Sequence, residues 1–257
     1  GTGGSQDVTV TFSPGLTGSI SGVLTISSDD ADEGVLSVLL SGNGIAPAPS
    51  LKQTLSILTP GSTRHTMILI PAGEITVEDQ AGSHAVFLDN FYMDQFEVSN
   101  EQFLVFLNHI GGNQDPGSED LTPLVDLSAD GVQIRLSGGR FEVTSATLFN
   151  RPAVGITWVG ANAYCRWMGG RLPTELEWEK AARGTDGRGF PWGNAEVTAE
   201  LANARGNVGH TTDVDTYAEG ASPYGMRHMY GNVYEWVSDI GNDGAGRVVL
   251  GGSWEPF

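Results

Sequence analysis

Turn residues interrupt this chain so often that no long helix can form along most of its length. Glycine occupies 36 of 257 positions, and few segments keep a helical hydrophobic period for more than a few turns. A helical bundle is therefore excluded in favour of short strands, short helices and long connections. A hydrophobic content of 39%, with 6 Trp, still supplies a core, and its aromatic side chains are expected to sit among turns.

The first strand-like segments lie at 7–12 (DVTVTF), 21–27 and 34–40, where apolar residues alternate with period two. Turn sequences separate them at 13–15 and 28–34, because Pro, Asp and Gly supply the dihedrals that turns need. Three such strands do not close a sandwich, so part of this unit is expected to lie upstream. The acidic 28–34 turn lacks the flanking helices and distal glutamate of an EF-hand, and it reads as a solvated loop. A proline-rich stretch, IAPAPS at 45–50, reads as the start of a linker over 47–64.

A second domain is expected over 65–257. MILIPAG at 67–73 reads as a buried strand ending in a turn, with strands following at 85–89 and 91–94. Ser99 and Gln102 form a capping box ahead of a helix whose Phe103, Phe106, Leu107 and Ile110 share a face. Gly111 and Gly112 stop it. Two further strands are expected at 132–136 and 140–143. A second capping box, Thr174 with Glu177, opens another helix, and Glu179 with Arg183 makes an i,i+4 pair on it. The indole N–H of Trp178, buried against the core, needs an acceptor.

Five motifs then occur in order: PAVGITW at 152–158 leading into ANAYCRW at 161–167, GRLPTELEWEKAARG at 170–184, GFPWGN at 189–194, YGNVYEW at 230–236 and RVVLGGSW at 247–254. In this order and spacing they resemble the formylglycine-generating enzyme, or sulfatase-modifying factor, family. The likeness covers about three quarters of the chain. It implies an α+β, C-type-lectin-like fold with little regular structure over 65–257, truncated at its C-terminus. The segment before it, up to residue 46, resembles the last strands of a bacterial immunoglobulin-like module.

Active members of that family oxidise a sulfatase cysteine to formylglycine with copper held by two cysteines, since soft thiolates suit Cu(I). The resemblance places the first of these two residues past GGSW, which here is Pro256; the second would fall beyond Phe257. The chain has 1 cysteine, Cys165, inside a helical motif, where it reads as a small core hydrophobe. Copper is therefore not expected. Ser253 and Trp254 match the family's active-site serine and its aromatic neighbour, and they mark a ligand pocket.

The family also binds structural calcium. Gly231, Val233 and Glu235 match one set of oxygen ligands, with His228 standing where the family has an acidic residue. Asn203 and Ala204 match part of a second set, with Asp213 or Asp215 as acidic partners. The five histidines show no zinc spacing and read as surface or turn residues. Residues 184–189 leave a helix C-terminus and so are no phosphate loop. Glu175 and Glu177, two apart on a helix, face different ways and make no acid/base pair.

A formal charge of −18 disfavours nucleic acid and anionic membranes as partners, and no apolar run is long enough to span a bilayer. The expected function is a non-oxidase binding or display module, placed outside the cell, in the periplasm or at the cell surface, that presents its C-terminal loops to a protein or small-molecule ligand. The alternative is a truncated formylglycine-generating oxidase acting on sulfatase cysteines.

Overall fold

In a computed structural model the described residues are 18–26, 36–44, 54–58, 64–79, 82–241, 244 and 246–256. The chain divides into two units, Gly1–Leu51 and Lys52–Phe257. In the first, β1 (Gly18–Ile26) and β2 (Leu36–Gly44) form an antiparallel hairpin in which Gly18 faces Gly44 and Ile26 faces Leu36. The strand expected at 7–12, the acidic turn and the proline-rich stretch at 45–50 lie outside the described residues.

The second unit mixes small sheets with short helices. Thr54–Leu58 (β3) falls in the stretch read as linker, yet it is a strand. Its register runs antiparallel to β4 (Arg64–Ile70), from Thr54 opposite Ile68 to Leu58 opposite Arg64. The prolines that suggested a linker, Pro47 and Pro49, precede this strand in sequence and remove none of its donors. On the other side of β4 lies β7 (Phe91–Asp94), giving the order β3-β4-β7. β5 (Gly73–Asp79) and β6 (Gly82–Leu88) form a separate hairpin. The strands expected at 85–89 and 91–94 thus both exist, and each pairs with an earlier strand.

Both capping boxes form. Helix α1 (Asn100–Ile110) starts at Ser99, whose hydroxyl accepts from Gln102 N while Gln102 returns the bond, and it ends at a left-handed Gly111. Helix α3 (Glu175–Arg183) starts likewise at Thr174 with Glu177. Between them come β8 (Ile134–Ser137) and β9 (Arg140–Val143), paired as a hairpin, and α2 (Trp158–Trp167). β10 (Glu235–Ile240) and β11 (Arg247–Leu250) close the sequence. One core packs α1 and α2 around Phe103, Phe106, Leu124, Phe141 and Tyr164. A second packs α3 against β4 and β10 through Ile70, Trp178, Met226 and Val237.

Two indoles join these regions reciprocally. Trp158 Nε1 donates to Val237 O at 2.9 Å, and Trp236 Nε1 donates to Ile156 O at 2.8 Å. Each satisfies a donor that burial would otherwise penalise by about 1–3 kcal/mol. The start of α2 is thereby fixed to β10.

Two of the five histidines depart from the sequence expectation, His65 at 2% exposed and His228 at 3%, while His84, His109 and His210 are exposed. His65 Nδ1 lies 3.1 Å from Asp94 Oδ2, and its Nε2 lies 2.9 Å from the Tyr164 hydroxyl. A polar tip at each end lets a histidine sit under a sheet, which composition alone does not reveal. Lys180 is buried too, and its Nζ donates to Gly73 O at 2.9 Å, anchoring α3 to the start of β5.

Candidate functional site

The GGSW segment is held by backbone bonds to two other loops. Gly231 N donates to Gly251 O at 2.8 Å, Trp254 N to Asn232 O at 3.0 Å, and Gly206 N to Trp254 O at 2.7 Å. Gly251 lies at φ +88, with its Cβ position 3.3 Å from the Trp178 ring; a side chain there would be strained and would crowd the indole. Ser253 and Trp254 are half-buried. The Ser253 hydroxyl accepts from Glu255 N at 3.3 Å, so it is engaged in its own turn.

The centre of this region is Asn232, fully buried and left-handed at φ 60. Its Nδ2 donates to Glu97 Oε2 at 2.7 Å, and its Oδ1 accepts from Asn203 Nδ2 and from Thr212 N, each at 2.9 Å. Its own N donates to Asn203 O at 2.7 Å. The structure therefore brings together Asn203, Gly231 and Trp254 around a residue that the sequence showed only as part of a motif. Glu97 was missed altogether. The one available signal was the Gly-Asn dipeptide, since asparagine tolerates the left-handed region.

Glu97 and Glu235 form a coupled pair in a dry environment. Glu97 is 8% exposed, and burial, then repulsion from Glu235, push its carboxyl well above the usual range. Its Oε1 has no hydrogen-bond partner among the described residues. Glu235 is pushed up to about 7 by burial, against the opposing effect of the Trp178 indole, which donates to Oε2 at 2.8 Å. That bond supplies the acceptor the Trp178 N–H required.

A pH dependence follows. Unfolded glutamate releases its proton near 4.5, whereas folded Glu235 holds it to about 7, so the native state binds more protons between those values. Stability should be fully present below pH 4.5 and fall as pH rises toward 7, by roughly 3 kcal/mol at about 1.4 kcal/mol per pH unit. Glu97 acts in the same direction. Urea unfolding in chelator from pH 5 to 8 should show this fall, and Glu235→Gln should lessen it, leaving the part due to Glu97. A wild-type slope that survives in Glu235→Gln would assign the effect elsewhere.

The two expected calcium sets differ in which of their oxygens already accept hydrogen bonds. The Gly231 and Val233 carbonyls accept no hydrogen bond among the described residues. His228, in the remaining position, points Nε2 at Asp213 O at 3.2 Å and is pushed down to about 4 by burial, so it is neutral at pH 7. In the second set the carbonyls of Asn203 and Ala204 already accept from Asn232 and Asn207. The buried Asn203 Oδ1 has no partner among the described residues, and Asp215 Oδ1 accepts from Asn150 at 2.9 Å. Among the described residues no group of three or more His, Cys, Asp or Glu side chains is placed to hold a metal, so any calcium would depend on main-chain oxygens.

Cys165 lies on α2, and burial pushes its thiol up to about 12. It lines a cleft of about 430 Å³ that also touches Glu97, Arg227 and Glu235. Neither Ser253 nor Trp254 lines this cleft. No helix among the described residues is long and apolar enough to cross a membrane.

Comparison with known proteins places this arrangement. Residues 54–256 match the family described as Sulfatase-modifying factor enzyme 1-like domain. The chain is 30% identical to Formylglycine-generating enzyme of Streptomyces coelicolor over 76% of this chain and 80% of that protein. It is 36% identical to Serine/threonine-protein kinase pkn1 of Chlamydia pneumoniae over 74% of this chain, and the match spans 33% of that longer protein. The solved structure of Treponema denticola variable protein 1 shares the fold, with a TM-score of 0.53 at 23% identity, covering 79% of this chain and 88% of that one.

Proposed function

The chain belongs to the Sulfatase-modifying factor enzyme 1-like family, and from that membership we propose that it is a non-oxidase ligand-binding or display module with a C-type-lectin-like architecture. The observation that carries this reading is Pro256, which stands where the resemblance places the first of the two soft thiolates that Cu(I) oxidase chemistry in this family needs. The Pro256 ring packs over Gly206. The thiol of Cys165, at about 12, stays protonated at neutral pH, so it is a poor metal ligand or nucleophile.

The ligand face is assigned to the C-terminal loops around Ser253 and Trp254, which Asn232 and Gly206 hold to the rest of the domain. The likeness in fold to a protein called a variable protein supports a recognition role. A place outside the cell, in the periplasm or at the cell surface, suits a chain of charge −18 preceded by strand-rich sequence that resembles an immunoglobulin-like module.

The second reading, a formylglycine-generating oxidase, is favoured by the match to 80% of the length of the Streptomyces enzyme. Aerobic incubation of the chain with copper and a cysteine-containing sulfatase peptide separates the two. The binding-module reading expects no aldehyde on the peptide. Turnover above a metal-only control would establish the oxidase.

Calcium is proposed as a structural ion held by the Gly231 and Val233 carbonyls and the Glu235 carboxylate. Bound calcium would supply the charge that lets Glu235 ionise at neutral pH. Binding should therefore strengthen between pH 5 and 8, because a proton competes for the same oxygen. Calcium should raise Tm more at pH 8 than at pH 5, and Glu235→Gln should remove the increment. An unchanged Tm after chelation at pH 8 would remove this site from the account.

A further inference from the structure

We propose that the Asp130–Gly131 pair is a site of spontaneous isoaspartate formation, which lengthens the main chain in the turn packed on Gly155. The Asp186–Gly187 pair is spared because Arg188 clamps its carboxylate. Nothing in this chemistry depends on the C-terminal loops.

In this reaction the Gly131 amide nitrogen attacks Asp130 Cγ, the carbon of the side-chain acid. The acid hydroxyl leaves with the amide proton as water, closing a succinimide ring. Water then returns at one of the two ring carbonyls. Opening at Cγ restores aspartate, whereas opening at the main-chain carbonyl carbon gives isoaspartate, in which the chain runs through Cβ and Cγ. One water leaves and one returns, so neither oxidant nor reductant is required. Closure is favoured by a carboxyl free to rotate and take up a proton, by an amide outside any hydrogen bond, and by a following residue with no Cβ to obstruct the ring.

Asp-Gly occurs at 130–131, 186–187 and 243–244. Asp243 lies outside the described residues, and the Gly244 amide donates to Gly241 O at 2.8 Å. The other two pairs are closely matched. Gly131 and Gly187 lie at φ +77 and +75, each with open space around its Cβ position, and among the described residues neither amide is hydrogen-bonded. Asp130 and Asp186 are both exposed. What differs is the carboxylate. That of Asp130 makes no hydrogen bond or ion pair among the described residues. That of Asp186 is held on both oxygens: Oδ1 accepts from Arg188 Nε at 2.8 Å and Oδ2 from Arg188 Nη2 at 2.6 Å. These bonds push the Asp186 carboxyl down to about 2, so the neutral acid that must be attacked is scarce. Its Cγ must also leave a bidentate pair before turning toward the Gly187 amide. Because the pair is exposed and screened by solvent, the protection is severalfold and not absolute.

The change reaches α2. Val132 Cγ2, Asp126 O and Ala129 Cβ all crowd the position of a Gly155 Cβ, and Asp126 N donates to Gly155 O at 2.9 Å. Across the reacting pair, Val132 N donates to Ala129 O at 3.4 Å, a long and weak bond. An extra backbone carbon there displaces Val132 from Gly155, which leads through Ile156 and Thr157 into the helix.

The test ages the whole chain at pH 6 and 37 °C and digests samples after glutamate, which places Asp130 in peptide 120–142 and Asp186 in peptide 180–196. Isoaspartate is counted with an isoaspartyl carboxyl methyltransferase and a labelled methyl donor, and located by electron-transfer fragmentation. Asn43–Gly44 reacts with a change of mass and is told apart in the same digest. Isoaspartate should accumulate in 120–142 about fivefold or more faster than in 180–196. In urea, where both carboxylates are free, the two rates should converge. Asp130→Glu should abolish the first signal, because its ring would need a further carbon, and Arg188→Gln should raise the second toward the first. Aged wild type should have a lower urea midpoint than fresh protein, and aged Asp130→Glu should not. Equal rates in the folded chain overturn the proposal, as does the absence of isoaspartate at residue 130. A ratio that persists in urea overturns it too, since sequence neighbours and not the fold would then set the rates. Should Arg188→Gln lower stability, the comparison of folded with urea-unfolded wild type still decides.

Discussion

Asn232→Ala should destabilise the domain by more than about 4 kcal/mol, enough to leave a protein of ordinary stability largely unfolded at 37 °C. The substitution strips Glu97 Oε2, Asn203 Nδ2 and Thr212 N of a shared partner in a buried setting. Each buried group left unsatisfied costs about 1–3 kcal/mol. Alanine is also less tolerant than asparagine of the φ of 60 found here. Asn207→Ala is the control: its Nδ2 makes a single bond, to Ala202 O at 2.8 Å, and its loss should cost about 1 kcal/mol. Asn232→Asp separates hydrogen bonding from charge. It sets a carboxylate against Glu97, so it should be severe at pH 8 and partly recover at pH 5 as the two acids share a proton. Equal stability of Asn232→Ala and wild type in urea would show that Asn232 is not the structural centre described above.

Gly160→Ala should be comparably damaging, by more than about 3 kcal/mol, although alanine favours helix over glycine by about 1 kcal/mol. A Cβ at Gly160 would lie 1.9 Å from Leu124 O and 2.7 Å from Leu124 C. Both are backbone atoms, so the clash cannot be relieved by a rotamer change. α2 would have to withdraw from the 124–125 segment, where Thr157 N donates to Leu124 O at 3.0 Å and Val125 pairs with Ile156. Gly170→Ala, whose Cβ would meet Cys165 O at an ordinary 3.7 Å, should be near neutral. The comparison is read as a difference in urea midpoint between the two variants.

How much of this was legible beforehand depended on the reach of the interaction. Both capping boxes and the left-handed Gly111 formed as expected, because each is decided within four residues. The Glu179–Arg183 pair also formed. The need of Trp178 for an acceptor was legible, but its identity was not: Glu235 lies 57 positions away. Asn232 and Glu97 are 135 positions apart, and nothing local in EVSN or YGNVYEW shows that they meet. The buried histidines escaped for the same reason, since Asp94 and Tyr164 reach His65 only after β4, β7 and α2 have assembled. β3 was hidden by its neighbours, because prolines outside a strand read like a linker until the register with β4 is known.

The sequence reading assigned Gly231, Asn203 and Trp254 to three separate sets, whereas backbone bonds bring their loops together. Gly231 sits at φ +87 with its Cβ position 2.4 Å from Asn203 O, so glycine alone lets these two loops approach. The same contact delivers Asn232 to its partners.

The central claim, that this family member is a binding module without copper oxidase chemistry, is tested most directly by titrating the chain anaerobically with Cu(I) against a competing chelator such as bicinchoninate. With Cys165 protonated and half-buried in α2, the chain should take no copper from the chelator, and Cys165→Ser should behave identically. One tightly held equivalent of Cu(I) per chain would contradict the account.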